Sequence, residues 1–283
     1  MKRSRQDLLD FFGIIEGAQI KSVKYAEFFE RAKENQTFFL LVPFLSNLCL
    51  HFDIKQIRHG GVILKTEVRE KLRVALLMAL SAGFIDGFTF FHYDGRFAGA
   101  QTGNVIQAGI SLAQGKFNQF WDFAIPIFFF VAGVMFKVFY AHYLMKRRKF
   151  DALYLLSIQL IGMTVFTVMY ATFLNLPNSV FVGIVSFFMA IQFDTFNRAH
   201  GLGYTSVFTT GNIKNFSVNL AQWILTKRTE NLHVVRVLGA IIPTFFVGAF
   251  LATILGKYFG AWTLMGACIL YFLVFLIYRT EKI

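Results

Sequence analysis

The chain has 283 residues, of which 56% are hydrophobic and 37 are Phe, and it carries a formal charge of +12. Apolar residues gathered into runs near the twenty needed to cross a bilayer exclude an ordinary soluble domain and define a polytopic α-helical membrane protein. The short alternating segments of a β-barrel are absent, and the bases flank apolar runs as orientation signals do, which makes the lipid bilayer the partner and excludes nucleic acid.

Residues 1–65 are charged and irregular, with one apolar stretch, Phe38 to Leu50, that is too short to span and contains Pro43. The opening Lys2-Arg3-Ser4-Arg5 resembles a signal-peptide start, but Asp10 and Glu16 interrupt the residues after it and no small-residue cleavage site appears. Two readings stand for this segment. It is a cytoplasmic extension with a surface helix, or the start is assigned too early, since Gly60-Gly61 would be encoded by a ribosome-binding-like GGNGGN just ahead of Val62, Ile63 or Leu64.

The first span is expected from about Leu72 to Phe91, opening after Lys65, Arg69, Lys71 and Arg73 and carrying Asp86-Gly87 near its far end. A polar turn, His92 to Arg96, leads to a Gly-rich piece from Phe97 to Ala113 that contains Thr102-Gly103-Asn104 and is marginal for a crossing. A span from about Trp121 to Leu144 precedes the run Lys146-Arg147-Arg148-Lys149, and another runs from about Leu153 to Leu174. The order then repeats: a span from about Val180 to Phe196 with Asp194, a polar turn with Arg198, and a piece from Ser206 to Leu225 with Thr210-Gly211-Asn212. A basic loop from Lys227 to Arg236 comes next, then spans from Val237 to Tyr258 and from Ala261 to Tyr278.

The repetition holds residue by residue at a shift of 108. Ala82, Asp86, Phe88, Gly95, Thr102, Gly103, Asn104, Leu112, Ala113 and Gln114 recur as Ala190, Asp194, Phe196, Gly203, Thr210, Gly211, Asn212, Leu220, Ala221 and Gln222. Residues 68–174 and 179–280 therefore read as two copies of one unit. If each TGN piece crossed fully, the Lys146–Lys149 cluster would land outside, against the positive-inside tendency. With each TGN piece re-entrant or broken, each unit has three crossings and the chain about six. The N-terminus, the Lys146–Lys149 run, Arg198, Lys214, Lys227, Arg228, Arg236 and the C-terminal bases then fall inside, and Arg96, Lys116 and Lys257 outside. An odd number of crossings makes the two units an inverted repeat.

The pattern AGFIDGF, a Gly-containing turn and QTGNVIQAGISLAQG, matched later by MAIQFDTFNRAHGLGYTSVFTTGN, resembles the YoaK-like family of small bacterial membrane proteins, a domain of unknown function, over about residues 68–280. The resemblance implies about six spans and a bacterial inner-membrane location, with the C-terminus cytoplasmic on the charge argument above. It implies no substrate, reaction or functional residue.

The ionisable candidates are Asp86 and Asp194, because an acid in an apolar span usually faces a cavity or a partner; capping the turn before Gly95 or Gly203 is the alternative. Lys137 either snorkels towards the Lys146–Lys149 side or pairs with Asp86. The substrate-binding candidates are Thr102, Gly103, Asn104, Thr210, Gly211 and Asn212. Gly permits a broken backbone, and Thr and Asn beside it can cap a half-helix whose amides attract anions or whose unwound carbonyls hold cations. Tight packing through small residues is the alternative. In an inverted repeat Asn104 and Asn212 would face each other near the midplane. Cys49 and Cys268 form no pair or redox motif and the six His lack ligand spacing, so no metal or cofactor is expected.

The expected function is a transporter or channel for a small solute, with its site where the repeats meet. A non-transporting scaffold or lipid-binding protein is the alternative, and a homo-oligomer is compatible with either. An intramembrane aspartyl hydrolase would need the two acids as a proton-sharing dyad; Phe84-Ile85-Asp86-Gly87 and Gln192-Phe193-Asp194-Thr195 lack the GxGD context, so no enzyme is expected.

Overall fold

A computed structural model of the chain describes residues 68–147, 152–199, 202–207 and 209–281. The two readings of residues 1–65 lie outside these.

Eight helices are described: α1 (Leu72–His92), α2 (Gln101–Ala113), α3 (Phe117–Lys146), α4 (Ala152–Thr172), α5 (Asn178–Thr195), α6 (Thr210–Thr226), α7 (Thr229–Phe259) and α8 (Met265–Glu281). A small antiparallel hairpin, β1 (Arg198–Ala199) and β2 (Leu202–Gly203), joins α5 to the segment before α6. Five stretches among the described residues are long and apolar enough to cross a membrane: α1, α3, α4, α5 and the 53-residue stretch Thr229–Glu281. The last is broken at Gly260, whose φ of 53° only glycine adopts at low cost, and it contains both α7 and α8. With no water in the bilayer core to satisfy free backbone groups, this helical content is what apolar runs of this length require.

The TGN helices are the short ones. At about 1.5 Å per residue, the 13 residues of α2 cover roughly 20 Å, well under the 30 Å of a hydrocarbon core. The 17-residue α6 covers roughly 26 Å on the same rise, at the lower limit for a span. The expected basic loop from Lys227 to Arg236 is instead the first two turns of α7, which begins at Thr229. Bases and Glu230 on solvated turns do not break a helix, and nothing between Glu230 and Arg236 is a breaker.

The helices pair across the two halves of the described chain. α1 packs most extensively on α7, and α3 on α5. Small residues permit both approaches. A Cβ on Gly83 would collide with the Phe245 carbonyl oxygen, one on Gly248 with that of Leu80, and one on Gly133 with that of Phe187. Backbone against backbone is how apolar helices gain contact in lipid, where no hydrophobic force drives them together. α2 lies on α3 and α6 on α7, while α8 contacts α1 and α4, and α4 contacts α5. Adding 108 carries α1 to α5 and α2 to α6, and the chain order carries α3 to α7 and α4 to α8. Under that mapping each principal pair becomes another principal pair.

Two ends of the bundle are tied by polar contacts. At one, Lys71 and Arg73 at the start of α1 both pair with Glu281 at the end of α8. At the other, Asp94 after α1 accepts a 2.9 Å hydrogen bond from Asn178 at the start of α5, and Tyr93 stacks on Phe181. The Phe residues divide between surface and core: Phe128, Phe139 and Phe246 are more than 60% exposed, while Phe88, Phe181 and Phe196 are buried.

Candidate functional site

Breaking a helix inside an apolar region frees backbone groups that must find partners. Residues 97–100, the non-helical lead into α2, show where each N–H goes. Asn104 Oδ1 accepts from Phe97 N–H at 3.0 Å, and Thr89 Oγ1 accepts from Ala98 N–H at 3.3 Å. Asp86 takes the next two, Oδ1 from Gly99 at 2.6 Å and Oδ2 from Ala100 at 3.1 Å. Asp86 is 3% exposed, and it stands at the amino end of α2, where a helix dipole favours negative charge. The residues that carry the sequence pattern, the acid and the TGN asparagine, therefore hold one short segment from both sides.

The second TGN segment shows half of the same arrangement. Asn212 Oδ1 accepts from Thr205 N–H at 3.0 Å and its Nδ2 donates to the Thr205 carbonyl at 2.8 Å, as Asn104 Nδ2 donates to the Phe97 carbonyl at 2.7 Å. Each asparagine amide thus pairs with the backbone seven residues before it. Both asparagines are buried. Neither caps its helix; no side chain bonds the first turn of α2 or α6 from its N-cap, Ala100 or Thr209. Thr102 and Thr210 point to the exposed side.

The acids are not equivalent. Asp194 makes a 2.5 Å ion pair with Lys137 of α3, with side chains 34% and 16% exposed. The sequence alone leaves Lys137 to snorkel or to pair with Asp86. The α3–α5 packing instead brings it to Asp194, a partner 57 positions away that no local spacing announces.

The residues that meet near the two TGN segments are not the two asparagines. Asn104 and Asn212 do not present free amides to each other, because both are committed to their own backbones. Gly99 and Val207, which share a place in the 108-residue register, meet instead: a Cβ on Gly99 would collide with Val207 Cγ1, and would lie 3.0 Å from both Asp86 Oδ2 and Met189 Cε. Gln101, the first residue of α2, donates to the Ala98 carbonyl at 2.7 Å and reaches Ser186 of α5 at 3.4 Å. The lead-in segments, and not the TGN triplets, form the seam.

Beside this seam lies a polar cluster that the repeat pattern does not point to. Gln192 Oε1 of α5 accepts from Tyr271 of α8 at 2.8 Å, from Gln159 of α4 at 3.3 Å and from Ser81 of α1 at 3.4 Å, while its Nε2 donates to the Met78 carbonyl at 2.8 Å. All four side chains are fully buried. The signal in the sequence is a pair of amides inside apolar runs, which must find partners.

At the Asp94 end, Arg96 is 5% exposed and bonds Asp94 at 2.8 Å and Asp122 at 2.8 Å, with its guanidinium 5.6 Å from the Phe123 ring centre. The hydrogen bond from Asn178 and that from Arg96 hold the Asp94 carboxyl below the usual carboxylate range. Burial pushes the Tyr93 hydroxyl up, with Tyr170 beside it.

An open cleft of about 300 Å3 borders the second TGN, lined by Asn197, Arg198, Gly203, Tyr204, Thr205, Gly211, Asn212 and Asn215. Of the candidate binding residues, only Gly211 and Asn212 line it.

Apolar helices of spanning length, tied through buried glycines and intramembrane polar side chains, define an integral, multi-pass α-helical membrane protein. A family model described as protein of unknown function (DUF1275) matches residues 74–277. The chain belongs to that family. No curated protein and no solved structure matches the chain.

Proposed function

We propose that the protein carries a small solute across a bacterial inner membrane, as six crossings arranged in two inverted three-span units that open and close at the Gly99–Val207 seam. The observation that carries this reading is the meeting of register-equivalent residues there, beside an acid within a span. Discontinuous helices at the interface of inverted repeats are where carriers hold their solutes. The exchange of partners, α1 with α7 and α5 with α3, supports an inverted pair. So does the joining of Lys71 and Arg73 to Glu281, since six crossings return the chain to its starting face. The positive-inside tendency makes that face, with Arg147, Arg198 and Arg228, cytoplasmic.

In this reading the TGN residues position the site and the acids divide the remaining work. Asp86 fixes the lead-in of α2. Asp194, a third exposed and joined to Lys137, is the group that exchanges a proton or coupling ion as the units move. Thr102, Gly103, Thr210 and Gly211 lie where a solute would meet the ends of the half-helices, and Asn104 and Asn212 keep those ends in shape.

Cysteine labelling in a Cys-free background tests both parts. Arg147→Cys should resist an impermeant maleimide in intact cells while Lys116→Cys reacts; labelling of the first from outside defeats the inverted topology. Val207→Cys should react slowly from at least one face in native vesicles, because a carrier must open its seam. Complete protection from both faces would leave a static scaffold as the reading.

A further inference from the structure

The two copies treat the same place in the fold differently. In the first, Phe90 and Phe97 stack at 4.6 Å. Their rings lie over two glycines: a Cβ on Gly103 would come within 2.6 Å of Phe97, and one on Gly95 within 3.7 Å of Phe90. At a shift of 108 the stacked pair becomes Arg198 and Thr205, and the glycines become Gly211 and Gly203. With the rings gone the space is open. A Cβ on Gly203 would meet nothing within 4 Å, and one on Gly211 only Thr205 Oγ1, at 4.0 Å. The cleft of about 300 Å3 occupies this place, a volume at the small end for ligand pockets.

What replaces the aromatic plug is chemically directed. Arg198 is exposed and has no ion-pair partner among the described residues. Asn215 and Asn197 add amide groups, and Gly211 and Asn212 of the first turn of α6 line the cleft beside them. Tyr204, in the register place of Arg96, also lines the cleft; it is 4% exposed and its hydroxyl has no hydrogen-bond partner among the described residues. Among the described residues, no carboxylate lines the cleft.

We propose that the cleft between β2 and α6 is an oxyanion-binding site, in which the Arg198 guanidinium and the amino end of α6 hold a carboxylate or phosphate group. A planar guanidinium pairs with either group through two parallel N–H bonds, and a helix start adds aligned N–H donors and a favourable dipole. The oxyanion belongs to a free solute or to a lipid headgroup, because the cleft comes directly after the end of α5. The site shares Gly211 and Asn212 with the transport reading but requires no passage across the membrane. The binding test reads occupancy and the labelling test reads opening, so either can fail alone.

The test uses the full chain in uncharged detergent, titrated with inorganic phosphate by calorimetry, and the same chain in nanodiscs of phosphatidylcholine with and without phosphatidic acid, read by native mass spectrometry. Saturable phosphate binding that Arg198→Gln weakens tenfold or more, and that Lys257→Gln at the opposite end changes less than twofold, supports a free-solute site. Retention of phosphatidic acid that depends on Arg198, without phosphate binding, supports a headgroup site. The double variant Arg198→Phe/Thr205→Phe restores the plug seen in the first copy, so it should keep the thermal midpoint within a few degrees and abolish binding in both arms. The proposal is overturned if the wild-type chain binds neither probe, or if both Arg198 variants bind as it does.

Discussion

Replacing Asp86 tests the account of the broken segment most directly. Its two oxygens each accept one backbone N–H, the buried one of Gly99 at 2.6 Å and the part-buried one of Ala100 at 3.1 Å. A hydrogen bond to a charged group contributes about 1.5–3 kcal/mol. Asp86→Ala removes both and strands one buried and one part-buried donor, so the loss should be about 3–6 kcal/mol. Asp86→Asn keeps one oxygen, which takes the shorter bond from Gly99, and turns an NH2 group towards the Ala100 N–H; its loss should be about 1.5–3 kcal/mol. On the scale for domains of this size the Asn variant should melt roughly 3–12 °C lower, and the Ala variant lower still. Thermal unfolding in detergent gives the order, and hydrogen exchange of a peptide covering residues 97–104 gives the place. The amides of Gly99 and Ala100 should exchange faster in both variants, while Phe97, held by Asn104, should change less. An Ala variant as stable as the wild type, or an Asn variant less stable than the Ala one, would refute the claim that this carboxylate holds the lead-in of α2.

Glycine at the α1–α7 crossing can be probed with a built-in control. Gly83→Ala drives a methyl into the Phe245 carbonyl and should destabilise by about 1–3 kcal/mol, whereas Gly109→Ala on α2 meets nothing within 4 Å and should be neutral or stabilising by up to about 1 kcal/mol; melting curves of the two variants compare them. Asp94 carries a pH dependence. Its carboxyl is held below its ordinary value by Asn178 and Arg96, so the unfolded chain binds the proton first. The contribution is present at neutral pH and is lost as pH falls below the ordinary carboxylate range. Asp94 is 67% exposed, so Asp94→Asn should cost under about 1 kcal/mol at pH 7. The variant should also flatten the acid side of a melting-midpoint profile; an unchanged acid limb would remove Asp94 from it.

The spans are readable because apolar runs and their flanking charges are local signals. The expected first span, Leu72 to Phe91, is α1 to within one residue. The TGN asparagines stand out by recurrence, yet their work does not. A side chain pairing with the backbone seven residues back depends on a non-helical lead-in that periodicity does not show. Sequence alone puts Lys137 with Asp86 or at the membrane edge, because neither α3 nor α5 reveals by itself that they pack together. The exchange of Phe90 and Phe97 for Arg198 and Thr205 is visible in the register. It carries no meaning until the two rings are seen stacked over Gly103 and Gly95.

The exchange of partner helices bears on how the protein is made. α1, almost wholly buried in the finished bundle, leaves the ribosome about 160 residues ahead of the part of α7 that covers it. At roughly 5–20 residues per second that interval is on the order of 10–30 s, during which Ser81, Asp86 and the bare glycine face of α1 wait in the insertion machinery or the bilayer without their final neighbours. Assembly must then close the first-made helix onto nearly the last-made one. A gene cut between α4 and α5 would give two polypeptides, each lacking the main partner of its own opening helix, that could become one membrane protein only by finding each other.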